Sequence, residues 1–275
     1  MKTNYRLGGI LALIGSVLGI LGTYYIFLTW YTPALTAEAA EPGCEILLKY
    51  LMPALLDFGI LAGVLYAVSA LGFFTSARWA FPLVVIANIL AVQGSWFINV
   101  PFMAAGMPPI YFTIFFPNLI LFFLFMRPVG KLPWNRIILG MVTGMAFIFC
   151  FMNGVASWSR MLTIGTHIFV AVQRLNWLAF VGMGVVTVGV LLRPKEWVRV
   201  LGISAASLEL VVGTPLAVAT TISLGRFSMF SLGPIFCLII LVIFAVPSLW
   251  KRSTGVSVGN DVSVESDVGV VNALA

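Results

Sequence analysis

Apolar residues along this chain run in long unbroken stretches rather than in the one-sided rhythm of a half-buried helix. Eight such stretches stand out, at residues 7–30, 50–74, 81–100, 111–126, 137–156, 168–192, 200–223 and 233–250. A helix needs about 20 apolar residues to cross the ~30 Å hydrocarbon layer of a bilayer, and each stretch meets or approaches that length. The pattern predicts an all-α membrane protein, a polytopic bundle of about eight transmembrane helices. The stretches 111–126 and 233–250 are the shortest, and each is expected to gain a turn from its flanks. Residues 1–252 then form one transmembrane helical domain. From Ser253 to Ala275 valines alternate with Ser, Gly and acids. An isolated strand is not stable in water, so 253–275 reads as a flexible cytoplasmic tail.

Composition changes the picture only by deciding the solvent. Hydrophobic residues make up 61% of the chain and charged ones 9%, with a mean hydropathy of +1.09. A domain that faces water carries charge on roughly a quarter of its residues, so this one faces lipid. The net charge of +6 comes from cations scattered at the edges of apolar stretches. They form no basic stripe of the kind that binds nucleic acid.

Those cations set an orientation. With the N-terminus inside, Lys2, Arg6, Arg78, Arg127, Lys131, Arg136, Arg193, Lys195, Arg199, Lys251 and Arg252 fall on the inner side. Only Lys49, Arg160, Arg174 and Arg226 fall outside. The positive-inside rule therefore places both termini in the cytoplasm of a multi-pass cell-membrane protein. The first stretch, at 24 residues, exceeds a signal-peptide core of roughly 7–15. It is read as a retained helix, although Ala37-Glu38-Ala39 resembles a cleavage site.

The possible halves 1–126 and 132–252 share a layout, which suggests a parallel 4+4 repeat like that between the halves of some transporters. A shift of 125 residues brings Gly15 and Gly19 onto Gly140 and Gly144, and Lys49 onto Arg174. Both glycine pairs have the GxxxG spacing that lets helices approach closely. They serve packing within the bundle or, as the alternative, a homodimer.

Candidate chemistry rests on the few polar groups inside the stretches. A charge in hydrocarbon costs at least ~2.5–3.5 kcal/mol and usually has a reason to be there. Glu209 lies near mid-depth, beside the small residues Ser204 to Ser207 and before Pro215, which is expected to kink its helix. Such a carboxyl suits a cation, a proton or a polar substrate, or else a packing hydrogen bond. Asp57 is expected ~12 Å inside the outer boundary and Arg174 at or near the outer surface, where the two can pair or Arg174 can snorkel alone. Asn88, Asn99 and Asn118 are candidate lining for a polar pathway, with interhelical hydrogen bonding as the structural alternative. The segment 157–174, with Trp158, Arg160 and the single His167, reads as a surface helix on the outer loop or as the start of the sixth span.

Exclusions narrow the function. One histidine cannot make a bis-histidine haem site, and no His/Cys/Glu cluster has zinc or iron spacing. No nucleotide loop or HExxH motif occurs, so no cofactor is implied and catalysis is not expected. A lipid-directed enzyme using His167 and Arg160 is the weakest of three readings. The leading one is a small-molecule or ion permease with a polar site inside the bundle. The second is a non-catalytic anchor subunit of a larger membrane complex, for example a respiratory or quinone-linked one. Expected partners are the bilayer, a second copy or other membrane subunits.

Overall fold

The computed structural model describes residues 3–39, 44–164 and 167–255. Its elements are α1 (Tyr5–Val17), α2 (Thr23–Glu38), α3 (Cys44–Phe74), α4 (Ala80–Trp96), α5 (Asn99–Ala104), α6 (Phe112–Leu124), α7 (Trp134–Ile164), α8 (His167–Leu192), α9 (Glu196–Leu224), α10 (Leu232–Ala245) and α11 (Pro247–Thr254). Among the described residues every regular element is helical, as hydrocarbon requires: a backbone group that finds no water there must bond within its own helix. A π-helical turn, Leu18–Gly22, joins α1 to α2, so that Tyr5–Glu38 forms one span. A second, Phe125–Val129, extends α6.

Among the described residues seven helices are long and apolar enough to cross a membrane, and the count rises to eight where the bent pair α10–α11 is taken as one span. The surface confirms which solvent they meet. Large apolar side chains such as Leu21, Leu71, Val211 and Ile222 point outwards, while Asn88, Gln93, Asn99, Asn118, Asn153, Asn176 and Glu209 are buried. An exposed apolar surface of this extent would not persist in water.

The eighth span is shorter than expected. The stretch 233–250 does not continue as one helix: α11 leaves α10 at 100°. Pro247 disfavours helical geometry at the residue before it, and Val246 is extended there (φ −88°, ψ 110°). The amphipathic α11 turns Trp250 back onto Phe244, with ring centroids 4.6 Å apart. Lys251 and Arg252 stay exposed. By contrast, α9 runs through Pro215 as one continuous helix. The segment 157–174 forms the end of α7 and the beginning of α8, either side of the undescribed 165–166. The tail beyond residue 255 lies outside the described residues.

The spans pack in chain order as two groups. In the first, α1 and α2 pack on α3, α3 on α4, α4 on α6, and α6 returns to α1. In the second, α7 packs on α8, α8 on α9, α9 on α10, and α10 returns to α7. Within the first group the π-helical turn Leu18–Gly22 meets α3 backbone to backbone. A Cβ on Gly19 would sit 2.7 Å from the Gly63 Cα, so no other residue fits. Gly15 lies against the Tyr66 ring and Gly140 against Leu191. These glycine faces are occupied by the chain's own helices.

Helix ends on the side that carries the N-terminus are tied by side chains to exposed carbonyls. Arg199 donates from Nε to the Phe244 carbonyl (2.6 Å) and from Nη2 to Ala245 (3.2 Å), at the end of α10. Asn135 donates to the Arg252 carbonyl (2.6 Å). The Asn4 backbone N–H reaches the Val129 carbonyl (3.1 Å). Cations near a helix C-terminus also meet its negative dipole end.

The glycine contact gives a stability test. Gly19→Val should lower thermal stability in detergent by about 1–3 kcal/mol, because overpacking must push α1 off α3. Gly22→Ala, whose Cβ would meet only Ile114 at 3.5 Å, should change little.

Candidate functional site

Two features stand inside the bundle: a buried polar pair in the second group, and a cleft between the groups. The pair is built on α7 and α9. Glu209 lies at the middle of α9 and is fully buried. Its Oε1 accepts a hydrogen bond from Asn153 Nδ2 on α7, at 2.6 Å. The same amide nitrogen donates to the Phe230 carbonyl at 3.3 Å. Glycines make the room: a Cβ on Gly233 would stand 2.9 Å from Glu209 Oε1 and 2.6 Å from Asn153 Nδ2. One turn before Asn153, the Cys150 thiol neighbours Cys237 at 3.9 Å. Glu209 Oε2 and Asn153 Oδ1 are buried with no partner among the described residues. Two buried acceptors left unmatched call for a donor, which a proton on the carboxyl would supply.

The other sequence candidates are distributed differently. Asn88 and Asn118 do come together: Asn88 Nδ2 donates to the Tyr66 hydroxyl (2.7 Å) and to the Asn118 carbonyl (3.3 Å). This network joins α3, α4 and α6 inside the first group, away from Glu209. Asn99 bonds back to Ser95 and Trp96 of its own chain segment, both at 3.0 Å. Asp57 and Arg174 are both exposed and make no ion pair with each other. Each lies on an outward stripe, Asp57 with Leu61, Val64, Val68 and Leu71 on α3, and Arg174 with Leu178, Val181 and Val185 on α8. Their distances from the helix ends match, but their helices turn them outwards. The Arg160 and His167 side chains lie outside the described residues.

The cleft is the feature that sequence reasoning missed. The two groups touch through α4 against α7 and α8. Far from the N-terminal side the contact is an aromatic seam. Phe97 meets Phe151 edge-on at 5.7 Å, Trp96 meets Phe149 at 5.1 Å, and Phe58 of α3 meets Phe151 at 6.3 Å. Phe147 and Phe180, stacked at 4.5 Å, form part of the wall beneath it. Towards the N-terminal side the groups separate around a cavity of about 990 Å³. Its walls are apolar, from Ile86, Ile89 and Leu90 on α4 to Val181, Val185 and Val188 on α8. Arg78, Arg136 and Arg193 border it, with Trp197 and Thr3. Leu90 is ten residues into α4, so at ~1.5 Å per residue the cavity reaches ~15 Å deep, half the hydrocarbon thickness.

In the sequence these three arginines served only to mark orientation. Nothing in their spacing shows that the turn before α4, the first turn of α7 and the turn after α8 converge on one opening. No protein-family profile, curated protein or solved structure matches this chain. The site therefore rests on its own geometry.

The polar pair yields a packing test. Glu209→Leu should destabilise the protein by roughly 1–3 kcal/mol, by leaving the Asn153 amide with only the longer Phe230 bond. Adding Asn153→Leu should recover part of that loss, and Glu209→Gln should cost least, as read by thermal unfolding in detergent.

Proposed function

We propose that this multi-pass membrane protein is a permease whose two four-span groups rock about the aromatic seam, with Glu209 as its titrating or cation-binding group. The observation that carries the reading is the shape of the interface between groups. A seam of Phe and Trp rings closes it on one side, and a cavity opens it on the other. Such asymmetry is what one half of an alternating-access cycle requires. Contact between the groups is chiefly α4 against α7 and α8, with Phe58 of α3 and the turn Phe125–Val129 also meeting α7, while each group closes on itself. Rocking would therefore leave the packing within each group intact.

Glu209 adds the second ingredient. A fully buried carboxyl with one unmatched oxygen, hydrogen-bonded to Asn153 of α7, the helix that carries Phe149 and Phe151 of the seam, suits the coupling of solute movement to a proton or cation. The positive-inside bias of the sequence places the open end of the cavity towards the cytoplasm.

The test uses the full chain in proteoliposomes that contain a pH-sensitive dye, with a panel of small organic anions, amines, sugars and short-chain anionic amphiphiles added outside. The wild type should show solute-dependent movement of the internal pH, and Glu209→Gln should abolish it while the protein remains folded. Equal proton flux in the two proteins would remove Glu209 from the mechanism. A wild type that leaves internal pH unmoved, and instead co-purifies with fixed partners, would favour the anchor-subunit reading.

A further inference from the structure

We infer that the cleft binds an anionic amphiphile, with its phosphate or carboxylate head at Arg136 and its apolar tail against α4 and α8. The inference names the solute class for the permease cavity and rests on that reading for transport. Binding itself is measured separately.

Three observations converge. The cavity has the depth of one bilayer leaflet, and its walls carry Ile, Leu, Val and Phe. A small polar solute would leave most of that surface without a partner, whereas an acyl chain would cover it. Next, the polar residues that border it are chiefly cations. Arg78, Arg136 and Arg193 belong to its lining, and no acidic residue does. Among the described residues none of the three arginines forms an ion pair with a carboxylate. Finally, Arg136 is positioned but not saturated. Its Nε donates to the Val190 carbonyl at 2.7 Å, which fixes the guanidinium against the end of α8. Its Nη2 is buried without an acceptor, and no hydrogen bond is formed by Nη1 among the described residues. A planar guanidinium held by one nitrogen, with the others unused, is suited to an anionic oxygen pair. Basic pockets between transmembrane helices take lipid head groups by this chemistry.

Arg78 and Arg193 are exposed at the opening. They attract the head group through screened, longer-range interaction, and Arg136 makes the directional contact. Val181 and Val185 belong both to the cavity wall and to the outward stripe of α8. The cleft therefore communicates sideways with lipid, which gives a membrane amphiphile an entry path that does not require leaving the bilayer.

The experiment titrates four probes against the purified full chain in a neutral detergent and follows thermal unfolding. The probes are dioctanoyl phosphatidylglycerol, dioctanoyl phosphatidylcholine, dodecyl phosphate and inorganic phosphate. The anionic amphiphiles should raise Tm, the zwitterionic lipid much less, and inorganic phosphate not at all. Stabilisation by phosphatidylglycerol alone names a membrane lipid as the source; stabilisation by dodecyl phosphate as well extends it to single-chain amphiphiles. Arg136→Gln should weaken the anionic response roughly tenfold, the loss expected for one charge-assisted hydrogen bond. Val185→Trp, which fills the cleft from an exposed position without touching an arginine, should weaken it independently. Equal response to phosphatidylcholine and phosphatidylglycerol would overturn the inference, as would an undiminished response in both variants. Binding without any solute-driven flux in vesicles would instead count against the permease reading alone.

Discussion

Hydrocarbon offers no hydrogen-bond partner, and most of this structure follows from that constraint. Each backbone group bonds within its helix, and small polar side chains follow suit: Thr143, Thr187, Thr220 and Ser69 all return their hydroxyls to carbonyls one turn back. Groups that cannot be satisfied locally are gathered in the interior. The amides of Asn88 and Asn153 each link separate helices. Cations collect where helices end, on carbonyls that would otherwise face the interface unpaired. Since lipid tails are as apolar as the helices, association between spans has to come from close packing and these few polar links. That is why Gly19 meets Gly63 backbone to backbone, and why aromatic rings fill the contact between the groups.

The same constraint makes unsatisfied groups informative. In a soluble core a free acceptor can be met by penetrating water, but at mid-depth in a bilayer that supply is limited. Glu209 Oε2 and Asn153 Oδ1 are left free on one side of the bundle. Arg136 holds unused donors beside an apolar cleft. The two sites differ in the partner they invite: the first suits a proton or small cation, the second an anionic head with a tail. A permease that moves an amphiphilic anion with a compensating cation would use both.

The fold was largely legible in the sequence, because span length and apolar content are local properties. The predicted stretches at 50–74 and 81–100 lie within observed spans, 200–223 matches Glu196–Ile222 to within a residue at its end, and the first, 7–30, grows to Tyr5–Glu38. The bend at Val246 was marked by Pro247, yet the apolar run through Leu249 and Trp250 concealed it. The site was less legible. Glu209 stood out because a buried carboxyl is rare in such a chain. Its partner Asn153 was one amide among several, and Gly213 and Gly233, which frame the pair, carry no sequence signal. The pairing expected of Asp57 and Arg174 depended on which way α3 and α8 turn, and both turn outwards. The cleft depended on the relation of two groups far apart in sequence, so its arginines read only as markers of orientation.

The rocking motion is the claim on which the functional account depends. It is tested most directly by pulsed electron resonance distances between spin labels in the full chain reconstituted in bilayers. One label pair, at Arg78 and Arg193, spans the opening of the cleft. The other, at Met103 and Arg174, spans the aromatic side. The account predicts that solute or a pH step lengthens the second distance as the first shortens, with both populations present at rest. Distances that stay fixed at both ends under every condition would contradict it.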